Sequence, residues 1–174
     1  VFSYEPLPEN FKLLQENLFL NKAHGVTAFP QAVAADNRMR DFFVEDKLRT
    51  GSTLTPAPYR NQLRVQCITL SDVFQSNNIQ NCAFLKMDCE GAEYEILDST
   101  PPAVFDRIQR ICIEYHAEAW GETHSCGGDE ILRTLRKMGF RLHLRRLPRG
   151  NTGYGYILAV KGSSERRGHA GKLQ

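Results

Sequence analysis

The chain has 174 residues, 41% of them hydrophobic and 24% charged, with a formal net charge of +2. That length allows one domain with a real core, and so small a charge makes no electrostatic case for a nucleic-acid partner. No apolar run approaches the roughly 20 residues that a membrane-spanning helix needs, and polar and proline positions follow Val1–Phe2 at once, which is no secretory signal.

Val1–Glu5 reads as a short strand ending in an acid, so the chain starts in mid-structure and a preceding segment is expected in the natural protein. Pro6-Leu7-Pro8 turns the chain, and Pro8 suits a first helical turn. Phe11, Leu14, Leu18 and Phe19 recur at helical spacing to about Asn21, and Gly25 breaks that helix. Val26–Ala34 is predicted as one strand, interrupted by Pro30 at an edge or a bulge.

Asp36–Arg40 reads as a turn before a strand at Asp41–Glu45, and Thr50–Pro58 reads as a loop. Leu63–Thr69 alternates as a strand does, and Ser71 is the predicted cap of a short helix. Phe84–Met87 is a short apolar strand. Helices are predicted to start at Glu93 and at Pro101-Pro102, and Ile111–Tyr115 is the next strand. Gly127-Gly128 is a hinge, and Asp129 caps a helix that Gly139 stops. Phe140–Leu147 and Tyr154–Val160 flank Pro148–Gly153 as a hairpin. Residues 1–162 thus form one domain, and the polar, Gly-rich 163–174 reads as a disordered tail.

Alternating strands and helices imply an α/β fold, a doubly wound parallel sheet with helices on both faces and a C-terminal antiparallel hairpin. The five cysteines (Cys67, Cys82, Cys89, Cys112 and Cys126) are odd in number and irregularly spaced. They read as reduced thiols of a cytoplasmic protein rather than a disulfide frame or a metal site.

The most informative stretch is Ala83–Leu97, where a buried-strand pattern ends in Asp88-Cys89-Glu90-Gly91 before a helix. Open α/β sheets bind ligands at the carboxyl ends of their strands, so Asp88 and Glu90 arrive where chemistry occurs. Asp88 also suits a helix N-cap, whereas Glu93 and Glu95 read as first-turn acids complementing the helix dipole. Glu114 and His116 are two apart at the end of the next strand and so share a face, which puts a carboxylate and an imidazole beside Asp88. Arg141, Arg145, Arg146 and Arg149 form a basic cluster without interleaved aromatic residues, which reads as a solvated hairpin.

Lys86-Met87-Asp88-Cys89-Glu90-Gly91-Ala92-Glu93, together with Tyr4-Glu5-Pro6, Gln31-Ala32-Val33-Ala34, Gly51-Ser52 and Ile113-Glu114, resembles the FkbM family of S-adenosylmethionine-dependent methyltransferases. The resemblance runs from Val1 to about Lys161. It implies the class I methyltransferase fold, with strand order 3-2-1-4-5-7-6. On that template Val1–Glu5 is strand 2, Val26–Ala34 strand 3, Phe84–Asp88 strand 4 and Ile111–Tyr115 strand 5. The first strand and its Gly-rich loop have no counterpart here, so the resemblance implies the C-terminal portion of a longer enzyme.

The resemblance also implies that Glu5 and Pro6 hold the cofactor ribose and that Gln31, Ala32 and Val33 line its adenine. A carboxylate suits a vicinal diol because it accepts two hydrogen bonds. Asp88, Glu90 and His116 are the candidate catalytic residues for methyl transfer to a hydroxyl of a small molecule, a sugar or a polyketide-type metabolite. Asp88 serves either as a base or as a ligand for a divalent metal that acidifies the hydroxyl. Two readings from other classes stand beside this one. The first is a catalytically inactive fragment whose exposed sheet edge pairs with a partner strand. The second is a dehydrogenase-type dinucleotide domain, although no Gly-x-Gly-x-x-Gly precedes Glu5.

Overall fold

The computed structural model describes residues 1–44, 61–116, 129–145 and 154–162, with Asn61, His116, Leu144, Arg145 and Tyr154 by backbone alone. The Thr50–Pro58 loop, His124, Cys126, the Gly127-Gly128 hinge, Arg146, Arg149, the Pro148–Gly153 turn and the 163–174 tail lie outside the described residues.

The elements run β1 (Phe2–Tyr4), α1 (Pro8–Leu20), β2 (Thr27–Phe29), β3 (Ala32–Ala34), β4 (Met39–Val44), β5 (Asn61–Thr69) and α2 (Leu70–Ser76). Then follow β6 (Leu85–Asp88), α3 (Glu93–Ser99), α4 (Pro102–Phe105), β7 (Arg110–His116), α5 (Asp129–Lys137), β8 (Phe140–Arg145) and β9 (Tyr154–Lys161). Proline opens α1 and α4, where its missing N–H costs nothing. Gly139 ends α5 at a φ of +82°, a conformation that only glycine adopts freely.

Three expectations from sequence need correction. Val26–Ala34 is not one strand: Pro30 separates β2, which pairs with β1, from β3, which pairs with β5. A residue without an N–H cannot continue a ladder, and here the chain uses it to change sheets. α1 ends at Leu20 with Asn21 as its cap, as the periodicity predicts, but Gly25 is not what breaks it, since Lys22 already takes the left-handed turn at a φ of +52°. The cap of α2 is Thr69 rather than Ser71, because the Thr69 Oγ1 accepts the Asp72 N–H at 3.1 Å.

The described strands form three ladders: β1-β2, β3-β5-β4 and β6-β7-β9-β8. β6 and β7 are parallel, whereas β9 runs antiparallel to both β7 and β8. One face of the four-stranded sheet carries Met87, Ile111, Ile113, Ile157 and Ala159, all buried against Ile96 of α3, Phe105 of α4 and Leu135 of α5. Burying each large aliphatic side chain there contributes about 1.5–3 kcal/mol. Strand pleating turns Lys86, Asp88, Cys112, Glu114 and Leu158 to the opposite face, where Lys86 and Asp88 are exposed and Leu158 is 39% exposed. A second, smaller core joins Leu7, Ala32, Ala34, Phe42, Val65 and Cys67.

Between β1 and β6 lies a cavity of about 490 Å³, with Phe2 and Tyr4 on one side, Leu85 and Met87 on the other, and Val73 and Phe74 of α2 closing it. Among the described residues β1 pairs only with β2 and β6 only with β7, so the two ladders present unpaired edges to this cavity.

Candidate functional site

The β6–β7 register sets Asp88 directly opposite Glu114, and the β7–β9 register sets Glu114 opposite Tyr156. Cross-strand neighbours share a face, so two carboxylates and a phenol form one row at the carboxyl edge of two parallel strands. Lys86, two residues before Asp88 on the same face, donates from Nζ to Asp88 Oδ2 at 2.8 Å. Burial pulls the Lys86 pKa down, but the bond to Asp88 and the charges of Asp88 and Glu114 override that effect and leave it above the ordinary lysine value.

Asp88 does not cap α3. The N-cap is Ala92, which offers no side-chain bond. Glu93 organises the turn instead. Its side chain is wholly buried, and its two oxygens accept the N–H groups of Cys89 at 2.7 Å and Gly91 at 3.0 Å. Glu90 stands between those two donors at a φ of +50° and is half-buried. Glu95 also differs from a plain first-turn acid, since it accepts from Arg40 of β4 at 2.6 Å. His116 ends β7 with its backbone opposite Tyr154, and its side chain is outside the described residues.

The cofactor candidates are spread over two places. The Glu5 Oε1 accepts the Leu7 N–H at 2.8 Å, and Asn10 also bonds this carboxyl group. Burial pushes the Glu5 pKa up, against the pull of these two donors. Val33 lines the cavity together with Tyr4, Met87 and Cys89, so the ends of β1, β3 and β6 meet there. Ala32 points into the second core, and Pro6 and Gln31 are half-buried beside these strands. The Tyr4 ring stacks on Phe29 at 4.8 Å between centroids, and the Asn77 side chain donates to its hydroxyl. Burial pushes the Cys89 thiol up to about 12, and the nearby Glu93 carboxylate adds to the rise.

Sequence reading missed Lys86 and Tyr156 as members of the acidic row and Glu93 as the organiser of the turn. The i, i+2 spacing of Lys86 and Asp88 on one strand was the available signal for the first. Among the described residues no group of three or more His, Cys, Asp or Glu side chains could hold a metal ion. No described helix is long and apolar enough to cross a membrane.

Carboxylates at the carboxyl ends of adjacent parallel strands lie where open α/β sheets bind ligands, and the class of this domain is that of a methyltransferase. The match that defines it is the methyltransferase FkbM domain, which covers residues 1–142, and the chain belongs to that family. No curated protein and no solved structure matches the chain.

Proposed function

We propose that the chain is the donor-binding and catalytic portion of an S-adenosylmethionine-dependent O-methyltransferase whose acceptor is a hydroxyl of a small molecule, a sugar or a polyketide-type metabolite. The observation that carries this reading is the Asp88–Glu114 pairing at the carboxyl edge of β6 and β7, inside the segment that matches the methyltransferase domain. The orders β1-β2 and β6-β7-β9-β8 support reading the ladders as strands 2-3 and 4-5-7-6 of one class I sheet. Free thiols at Cys67, Cys82, Cys89 and Cys112 go with a cytoplasmic site of action.

The residues fit the nucleoside part of the donor. A volume of about 490 Å³ walled by Tyr4, Val33, Met87 and Cys89 is of ligand size, and the half-buried Glu5 carboxylate is next to Tyr4 in the chain without lining that cavity. When bound, the donor supplies an electrophilic methyl group on sulfur. Glu5 would hold the ribose hydroxyls and Val33 the base. Asp88 accepts the acceptor's hydroxyl proton as its oxygen attacks, while Lys86 fixes the carboxylate's orientation. Glu114, Glu90 and His116 hold the acceptor or share that proton. Holding donor and acceptor in line is the fold's main contribution to rate.

Calorimetric titration of this chain with S-adenosylhomocysteine tests the reading. Micromolar binding, weakened at least about 10-fold in Glu5→Ala, is expected. Absence of binding by the folded chain overturns a donor site built from these strands.

A second reading is favoured by one specific observation, the unpaired edges of β1 and β6 around an apolar cavity. On that reading the chain is a non-catalytic assembly module that accepts an extended strand, whose backbone completes both ladders. The same titration separates the two, because a strand acceptor has no affinity for the nucleoside.

A further inference from the structure

We propose that Glu93 is a positioning residue that shapes the wall of the donor cavity by holding the Asp88–Gly91 turn, an inference that rests on the donor-site reading above. Between Asp88 at the end of β6 and Glu93 at the start of α3 the chain makes a turn with an unfavourable backbone. Glu90 sits at a φ of +50° without being glycine, and Gly91 follows at +103°. Left-handed conformations at non-glycine residues persist only where the surroundings over-determine them. Glu93 supplies that constraint, since its two oxygens take the N–H groups on either side of Glu90 at 2.7 and 3.0 Å.

A carboxylate with no solvent exposure is a costly way to pack the start of a helix. Its geometry instead serves the turn. Cys89, whose N–H it accepts, is a wall residue of the cavity with Met87, Tyr4 and Val33. Releasing that N–H frees Cys89 to shift along the wall and frees Glu90 to relax toward negative φ. The cavity then loses its shape while the hydrophobic contacts of Ile96 and Leu97 in α3 persist.

The test is Glu93→Gln, which keeps the side chain's size and one acceptor oxygen but turns an N–H₂ toward the second backbone donor. Two readouts are taken on the folded variant: hydrogen exchange at the Cys89 and Gly91 amides, and calorimetric affinity for S-adenosylhomocysteine. Faster exchange at those two amides and a loss of affinity of at least about 10-fold are expected. Leu97→Ala, a destabilising change on the same helix, is the control and retains affinity. If exchange at both amides is unchanged, Glu93 does not hold the turn, whatever the protein binds. Faster exchange with unchanged affinity reduces Glu93 to a structural role and overturns the proposal. If the unsubstituted chain does not bind the probe, the donor-site reading fails and takes the cavity role with it. The exchange result then still reports on the turn alone.

Discussion

The Arg40 guanidinium reaches from β4 to Glu95 on α3 at 2.6 Å and, through its other nitrogen, to Asp36 at 2.7 Å. It ties the β3-β5-β4 ladder to the helix that follows the acidic turn, so the smaller core is anchored to the larger one by charge. Both side chains of the Arg40–Glu95 pair are about three-quarters covered, with exposures of 23% and 24%. Charge-assisted bonds in such partial shelter are stronger than surface pairs, whose typical contribution is at most about 1 kcal/mol. Arg40→Met is therefore expected to lower the unfolding free energy by about 1–3 kcal/mol, because it takes the Arg40 donor from Glu95 and leaves Asp36 with Arg38 alone. Urea titration checks this, and a cycle with Glu95→Gln should give a coupling of at least about 0.5 kcal/mol.

Acid sensitivity should come from Asp36 and Asp72 and be opposed by Glu5. Bonds from Arg38 and Arg40 hold the Asp36 carboxyl well below the usual range, and bonds from Thr69 and Asn37 lower Asp72. A lowered native pKa means that the unfolded chain binds protons first. This stabilisation is therefore complete above the ordinary aspartate value of about 4 and is lost as pH falls through the native values. Glu5 has the opposite sign, since burial raises its native pKa. Its contribution is complete below the ordinary glutamate value and is lost as pH rises through the raised one. Urea midpoints between pH 7 and pH 3 should fall less steeply in Asp36→Asn than in the unsubstituted chain. Over the window just above pH 4, Glu5→Gln should remove the opposing slope. An unchanged acid limb in Asp36→Asn would show that the Arg38–Asp36–Arg40 cluster carries no net stability.

Much of the order of elements was legible in the sequence, because periodicity, prolines and glycines punctuate it. Pro8, Pro102 and Gly139 stand where helices start and stop, and Phe84–Met87 differs from β6 by one residue at each end. The partition into three ladders was not legible. Pro30 signals an interruption but not that β2 and β3 continue into different sheets, since ladder partners lie far away in sequence. Within the candidate site, Asp88 and Glu114 could be placed at strand ends, whereas their direct opposition depends on register. Glu93 could not be told from any other helix-start acid, because its burial follows from how the turn folds back.

Gly155 is required by a ring. It pairs with Tyr115 across the β7–β9 ladder, and a Cβ at that position would lie 2.8 Å from the Tyr115 hydroxyl and 2.9 Å from its Cε1. Tyr115 is only 6% exposed, so the ring has little room to retreat. Gly155→Ala is expected to cost about 1–3 kcal/mol by overpacking, which for a chain of this size lowers the melting temperature by roughly 2–10 °C. Tyr115→Leu should be tolerated better in the Gly155→Ala background than alone, because the two changes relieve the same contact. Additive losses would show that the ring does not depend on the glycine.

The acidic row makes the sharpest functional prediction. Asp88 has Lys86 as a donor and sits at the strand end with 35% of its side chain exposed, so it can meet an acceptor without rearrangement. Glu114 lies one strand deeper and opposite it. If Asp88 removes the acceptor's proton, Asp88→Asn keeps the shape and the Lys86 contact but loses the base. Methyl transfer should then fall by about 10²–10⁴-fold, while affinity for S-adenosylhomocysteine stays within about 3-fold, since the lost interaction belongs to the reaction step. Glu114→Gln should lower transfer less, by about 10-fold, if its part is to orient the acceptor. The check is release of S-adenosylhomocysteine over a panel of hydroxylated sugars, with calorimetry on the same variants. Equal losses of binding and turnover in Asp88→Asn would make Asp88 a donor-site residue, and unchanged turnover would remove it from the mechanism and shift the search along the row to Glu114 and Tyr156.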